Sequence, residues 1–165
     1  MHSQFFCHID EFRLIFDLHC TDIILVSKSW LKPEVSDRAV ELPGYNIYRN
    51  DRQYARGGGV AAYVKSQFQT SILHCSDTSR AARPEHLFLD VCVNGTHVLV
   101  GVCYRAPGLG YLAEFEHVLL DLMARYSHVI VMGDFNTQIR PNLLDYDVPH
   151  VRHDNTTDTS YSPHR

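Results

Sequence analysis

The chain has 165 residues, 45% hydrophobic and 21% charged, with 15 Lys and Arg against 19 Asp and Glu for a net charge of −4. That describes one soluble globular domain able to bury a core without a disulfide or zinc staple, and it excludes a general electrostatic attraction to nucleic acid. No run of about eighteen apolar residues is present, and Met1 to Gln4 lack the basic region of a signal peptide, so the expectation is no membrane span and a nuclear or cytoplasmic protein, not a secreted one.

Five Cys and eleven His are scattered without Cys-x-x-Cys or His-Glu-x-x-His spacing, which favours buried structural thiols over a zinc site. Two glycosylation sequons, at Asn94 and Asn155, read as coincidence in the absence of a secretory signal.

Ile9, Phe12, Ile15 and Phe16 lie on one face of a helix expected from Ile9 to His19. Ile23 to Val26 is a short, continuous, β-branched run that suits a strand covered on both faces. After a loop with two prolines, Tyr45 to Tyr48 alternates as a strand. The basic and aromatic stretch Arg49 to Arg56 then leads to Gly57-Gly58-Gly59 and a strand from Val60 to Val64. Glycines here let another backbone or a ligand come close, and a backbone is the preferred reading over a phosphate.

Two strands, Leu87 to Val93 and His97 to Tyr104, are joined by Asn94-Gly95, the strongest short hairpin signal. A helix from Tyr111 to Tyr126 turns Leu112, Phe115, Leu119 and Leu122 inward, and the apolar strand His128 to Met132 follows. Beyond residue 140 the chain is polar, so residues 1–140 are expected to form the domain and 141–165 a disordered tail. The mixed order of helices and strands predicts a layered α/β sandwich.

Chemistry is suggested first by Gly133-Asp134-Phe135-Asn136, delivered by a buried strand to the edge where ligands commonly bind. Asp134 and Asn136, two apart, point to one side of an extended backbone. A carboxylate can orient water or bind a hard cation, and an amide can donate to a phosphate oxygen. The alternative is a turn in which the two side chains cap the backbone.

Four motifs occur in order: Ser27-Lys28-Ser29-Trp30-Leu31-Lys32-Pro33, Arg56-Gly57-Gly58-Gly59-Val60-Ala61, Tyr104-Arg105-Ala106-Pro107 and Gly133-Asp134-Phe135-Asn136. With Leu42-Pro43-Gly44-Tyr45, they make the stretch from Asp10 to Thr137 resemble the endonuclease/exonuclease/phosphatase superfamily, specifically the endonuclease domain of jockey-like non-LTR retrotransposons. The resemblance implies a four-layer α/β sandwich, incomplete at both ends here, and Mg²⁺-dependent hydrolysis of DNA phosphodiesters. It implies that Asp134 orients the attacking water, Asn136 holds the scissile phosphate, Tyr104 stabilises its developing charge and Arg105 reaches a neighbouring phosphate.

The same resemblance places a metal-binding glutamate where this chain has Lys28, which carries donors only, so Mg²⁺ binding is not expected from that position. The family's terminal Ser-Asp-His motif has no counterpart; His150, His153 and Asp154 stand in a different order and a polar setting. Three readings follow: a catalytically impaired endonuclease-like domain, a non-catalytic nucleic-acid-binding module derived from it, and a superfamily phosphatase or phosphodiesterase. For the second, Arg49, Arg52 and Arg56 with Tyr48 and Tyr54 could form a DNA-binding patch, against the alternative of a solvated loop. Lys28 is further expected to pair with Asp134.

Overall fold

The elements in chain order are α1 (Ile9–Asp17), β1 (Ile23–Ser27), a single 3₁₀ turn (Asp37–Val40), β2 (Tyr45–Asn50), β3 (Val60–Lys65), β4 (Gln69–Cys75), β5 (Glu85–Val93), β6 (Thr96–Tyr104), α2 (Ala113–Met123) and β7 (Val129–Asp134). The computed structural model describes residues 9–17, 21–79, 83–109 and 112–136.

Small and β-branched residues make β3 the centre of a three-stranded sheet in which β1 and β2 pair with it antiparallel on either side. Every residue of β3 from Val60 to Val64 is buried. The other sheet has the order β4-β5-β6-β7, with β7 parallel to β6 and reached through α2. The β5–β6 hairpin turns at Asn94 and Gly95 with φ of 51° and 81°, the pair of positive angles that an Asn-Gly turn supplies at low cost.

Side-chain alternation assigns the layers. Leu87, Leu89 and Val91 of β5 and Val100 and Val102 of β6 meet Val60, Ala62 and Val64 between the sheets. The intervening Phe88, Leu99 and Cys103 face α2 through Phe115 and Leu122. On the far side, Phe12 and Phe16 of α1 cover Ile24 and Tyr63. Helix, sheet, sheet and helix therefore stack in the expected mixed α/β sandwich, and each fully buried Leu or Val contributes roughly 1.5–3 kcal/mol. Among the described residues no helix is long and apolar enough to cross a membrane.

Two expectations need correction. Ile15 is 52% exposed, because the buried stripe of α1 runs through Ile9, Phe12 and Phe16 and Ile15 lies well to one side of it. The sequence also gave no sign of β4, an edge strand whose residues are mostly exposed and whose register slips between Ile72 and His74, so no clean alternation marks it. The tail expected beyond residue 140, with His150, His153 and Asp154, lies outside the described residues.

Candidate active site

Three neighbouring strands of the four-stranded sheet bring Glu85, Tyr104 and Asp134 into one row, since Glu85 is the register partner of Tyr104 and Tyr104 that of Asp134. Directly paired residues point to the same face. Tyr104 belongs to the inter-sheet core and is 5% exposed, so the row closes one end of that core, with Asp134 half-buried at its margin. The site glycine has a packing reason: a Cβ on Gly133 would run into the backbone of Cys103, so only glycine lets β7 end this close to β6.

Asn136, at φ 43°, donates its N–H to Asp134 Oδ1 at 3.2 Å, and its amide nitrogen to the carbonyl of Arg105 at 2.8 Å. The turn-capping alternative thus describes how Asp134 and Asn136 are held: the backbone at Asn136 is left-handed and not extended as expected, and Asp134 is the one that lies beside Tyr104 in the sheet. The Arg105 guanidinium donates to the carbonyls of Phe135 and Leu109, tying the segment after β6 to the turn after β7.

Across the gap, β1 ends in a bend with Lys28 at φ 56° and Trp30 at φ 57°, after which the chain runs on beside the glycines that precede β3. That turn carries the Lys28 ammonium over the Tyr104 ring, 5.6 Å from its centroid, where the negative face of the ring attracts it. The ion pair expected between Lys28 and Asp134 is not among those formed by the described residues. Lys28 is engaged with the aromatic face, and Asp134 with its own turn.

The glycine run supports this bend. Gly57, Gly58 and Gly59 all have φ between 75° and 81°, and the Ser29 and Trp30 N–H groups donate to the carbonyls of Gly59 at 3.0 Å and Gly58 at 2.7 Å. A backbone is what comes close. A Cβ on Gly58 would overlap the Arg52 guanidinium, and one on Gly59 would lie 2.7 Å from Ser29 Oγ.

The basic loop corrects both readings of it. Arg52 is 8% exposed, paired with the buried Glu85, and stacked by its guanidinium 5.1 Å from the Tyr54 centroid and 5.5 Å from that of Tyr104. Glu85 accepts the Gly59 N–H at 2.6 Å through its other oxygen. Arg49 pairs with Asp51 and Asp37 and donates to the carbonyls of Lys32 and Val35. Tyr48 packs into the inter-sheet core. Arg49, Arg52 and Tyr48 are therefore parts of the scaffold, while Arg56 sits over the exposed side of the structure, 5.7 Å from the Trp30 ring centre. Burial raises the Tyr54 phenol above its usual range, the nearby Arg52 charge pulling the other way without overcoming it.

Sequence reasoning missed Glu85 and the Arg52 contact, because the strand was expected to begin only at Leu87.

Divalent-metal chemistry needs several hard oxygen ligands. Among the described residues no group of three His, Cys, Asp or Glu side chains could hold a metal ion, and the two carboxylates in the row are occupied differently: Glu85 by Arg52 and Gly59, Asp134 by its turn. Mg²⁺ can be held by one or two carboxylates with water and phosphate completing its shell, and of this row the half-buried Asp134 is the residue that could contribute one. A mainly apolar cavity of about 520 Å³ between β1 and β7 is lined by Ile23, Leu25, Val100, Val102, Ile130 and Met132, with Thr21 and Ser27 as its polar side chains, and reaches Gly133 beside the row.

No curated protein matches the chain. Solved structures do. The human Nocturnin catalytic domain with bound sulfate aligns with a TM-score of 0.56 at 14% identity over 82% of this chain and 57% of that one. TDP2 from C. elegans gives 0.55 at 15% identity over 81% of this chain and 43% of that one. D. rerio TDP2 complexed with a single-strand DNA product gives 0.51 at 14% identity, over 81% and 54%. At such identities these structures establish the fold, and this chain spans 43% to 57% of the length of these solved chains. The model of the Endonuclease/Exonuclease/phosphatase family matches residues 13–164, nearly the whole chain. The chain belongs to the endonuclease/exonuclease/phosphatase family.

Proposed function

We propose that this is a retrotransposon-type endonuclease domain whose site addresses a DNA phosphodiester but is catalytically impaired. In this reading Asp134 orients water, Tyr104 faces the charge that develops on the phosphate, and Asn136 contributes its amide once released from the Arg105 carbonyl. Arg105, with two guanidinium nitrogens already on carbonyls, adds its charge to a neighbouring phosphate. A working phosphodiesterase needs a positioned nucleophile and preorganised positive charge around the equatorial oxygens.

The observation that carries the impairment is Lys28 over Tyr104, at the position where the resemblance calls for a metal-binding glutamate. An ammonium cannot ligate a cation, and losing one preorganised stabilising group costs roughly a hundred- to a thousandfold in rate. Support for a phosphate-directed site also comes from the relatives, one with a bound sulfate and one with a single-strand DNA product.

Plasmid nicking in Mg²⁺ by the parent, Asp134→Ala and Lys28→Glu tests this. We expect the parent to match Asp134→Ala and Lys28→Glu to exceed both. Nicking by the parent that disappears in Asp134→Ala would overturn the impairment. Hydrolysis of a small phosphoester in the absence of any action on DNA would favour the phosphatase reading.

A further inference from the structure

We propose that the loops 28–32 and 52–57 form a stacking platform for unpaired nucleotides, with Trp30 and Tyr54 taking base faces and Lys28 and Arg56 taking backbone phosphates. This rests on the reading of the adjacent Tyr104–Asp134 row as phosphodiester-directed, and it names the form of nucleic acid presented to that row.

Cations and aromatic rings alternate along this rim. Lys28 lies over Tyr104, Arg52 between Tyr104 and Tyr54, and Arg56 over Trp30. The two clusters meet at Gly57, where a Cβ would lie in ordinary contact with the Trp30 ring, at 3.5 Å. Lys28 and Arg56 are exposed, whereas Trp30 and Tyr54 are half-buried.

Charge on the rim is also sorted. Glu85, the acid beneath it, is paired with Arg52, and the cationic Lys28 and Arg56 are exposed on the outer side of the rim, on a chain of net charge −4. Attraction is therefore local to this edge. A partner suited to it carries regular negative charge and flat π faces, which is the chemistry of a single nucleic-acid strand; in a duplex the base faces are already stacked. Arg56 can yield the indole face to a base and take the adjacent phosphate.

Preorganisation favours binding here. Besides the Ser29 and Trp30 bonds to the glycine carbonyls, Lys32 Nζ donates to the carbonyls of Arg52, at 3.0 Å, and Ala55. The two loops are laced to each other before any ligand arrives, so little ordering remains to oppose association.

Trp30 is the sole tryptophan of the chain, which gives a direct probe. Binding of labelled 12-nucleotide DNA and RNA single strands and of the matching DNA duplex is measured by anisotropy in EDTA, with Trp30 emission recorded in parallel. We expect tighter binding of the single strands, with quenching of Trp30 that inorganic phosphate alone does not produce. Trp30→Ala should weaken single-strand binding by about tenfold or more, and Trp30→Phe should recover most of it, which separates stacking from misfolding. Lys28→Ala and Arg56→Ala should each lower the salt slope by about one. Equal affinity for duplex and single strand, or binding without quenching, would overturn the platform while leaving a phosphodiester-directed site intact. Absence of binding to any of the three would overturn both readings. A preference between DNA and RNA identifies the strand that the platform serves.

Discussion

The inter-sheet core has a middle and an end that are built on different terms. In the middle, Ala62, Val64, Leu89, Val91 and Val100 meet with aliphatic atoms alone, and stability comes from area removed from water. At the end closed by Glu85, Tyr104 and Asp134, the buried groups are charged or aromatic and hold one another by ion pairing and cation–π contact. A buried charge is tolerated only with its partner, so the end is conditional where the middle is not. Concentrating polar burial at one end is what a fold does when that end must present chemistry.

The largest effect should come from separating the pair at that end. Arg52→Met leaves the Glu85 carboxylate, 2% exposed, without its guanidinium, and should lower the unfolding free energy by about 3–5 kcal/mol. Adding Glu85→Leu should recover much of the loss, since only the Gly59 N–H then lacks its acceptor. Leu89→Ala in the middle, at about 2–5 kcal/mol, has no such second-site rescue. Urea unfolding of the two singles and the double decides it; equal stability of Arg52→Met and the double would show that the end and the middle obey the same rule.

A somewhat smaller effect lies on the outer face of the same sheet, where His86 beside Glu85 is 1% exposed and stacks on His74. Burial, reinforced by the neighbouring His74, lowers its pKa from the usual 6.5 to about 4. Between those values the unfolded chain binds a proton that the folded chain does not, so stability falls as pH drops from 6.5 to 4 and is unaffected by this group above that window. The whole change is about 3 kcal/mol on the usual conversion of a pKa difference. His86→Leu should flatten the pH dependence of the urea midpoint relative to the parent by about that amount, and curves that stay parallel would refute it.

This division explains what could be read from the chain alone. The middle was legible: alternation in Leu87 to Val93 and His97 to Tyr104, the Asn94-Gly95 turn and the apolar run at Val60 all report local rules that the fold obeys. Tyr104 and Asp134 were legible as ends of such strands. The pairing of Arg52 with Glu85, thirty-three residues apart, was not, because nothing local tells a cation that it will be buried. Nor was the direction of Lys28, which depends on a left-handed backbone forced by contact with the distant glycines. Arg49, Arg52 and Arg56 look alike in the sequence, and only the fold sends two inward and one outward.

The smallest expected effect is also the one that separates stability from function at the end of the core. Lys28 holds φ 56°, a conformation that costs a non-glycine residue about 1–2 kcal/mol, and recovers part of it through its cation–π contact, worth about 0.5–1 kcal/mol at an exposed site. Lys28→Gly removes both terms at once. It also adds chain entropy to the unfolded state, about 0.5–1 kcal/mol in the destabilising direction, so the three contributions nearly cancel. The unfolding midpoint should shift by less than about 1 kcal/mol, while the salt slope of single-strand binding falls as it does for Lys28→Ala. A loss of several kcal/mol would mean that Lys28 is a structural member of the Tyr104 cluster like Arg52. In that case the ammonium over the ring would belong to the scaffold, and the outward charge of the rim would rest on Arg56 alone.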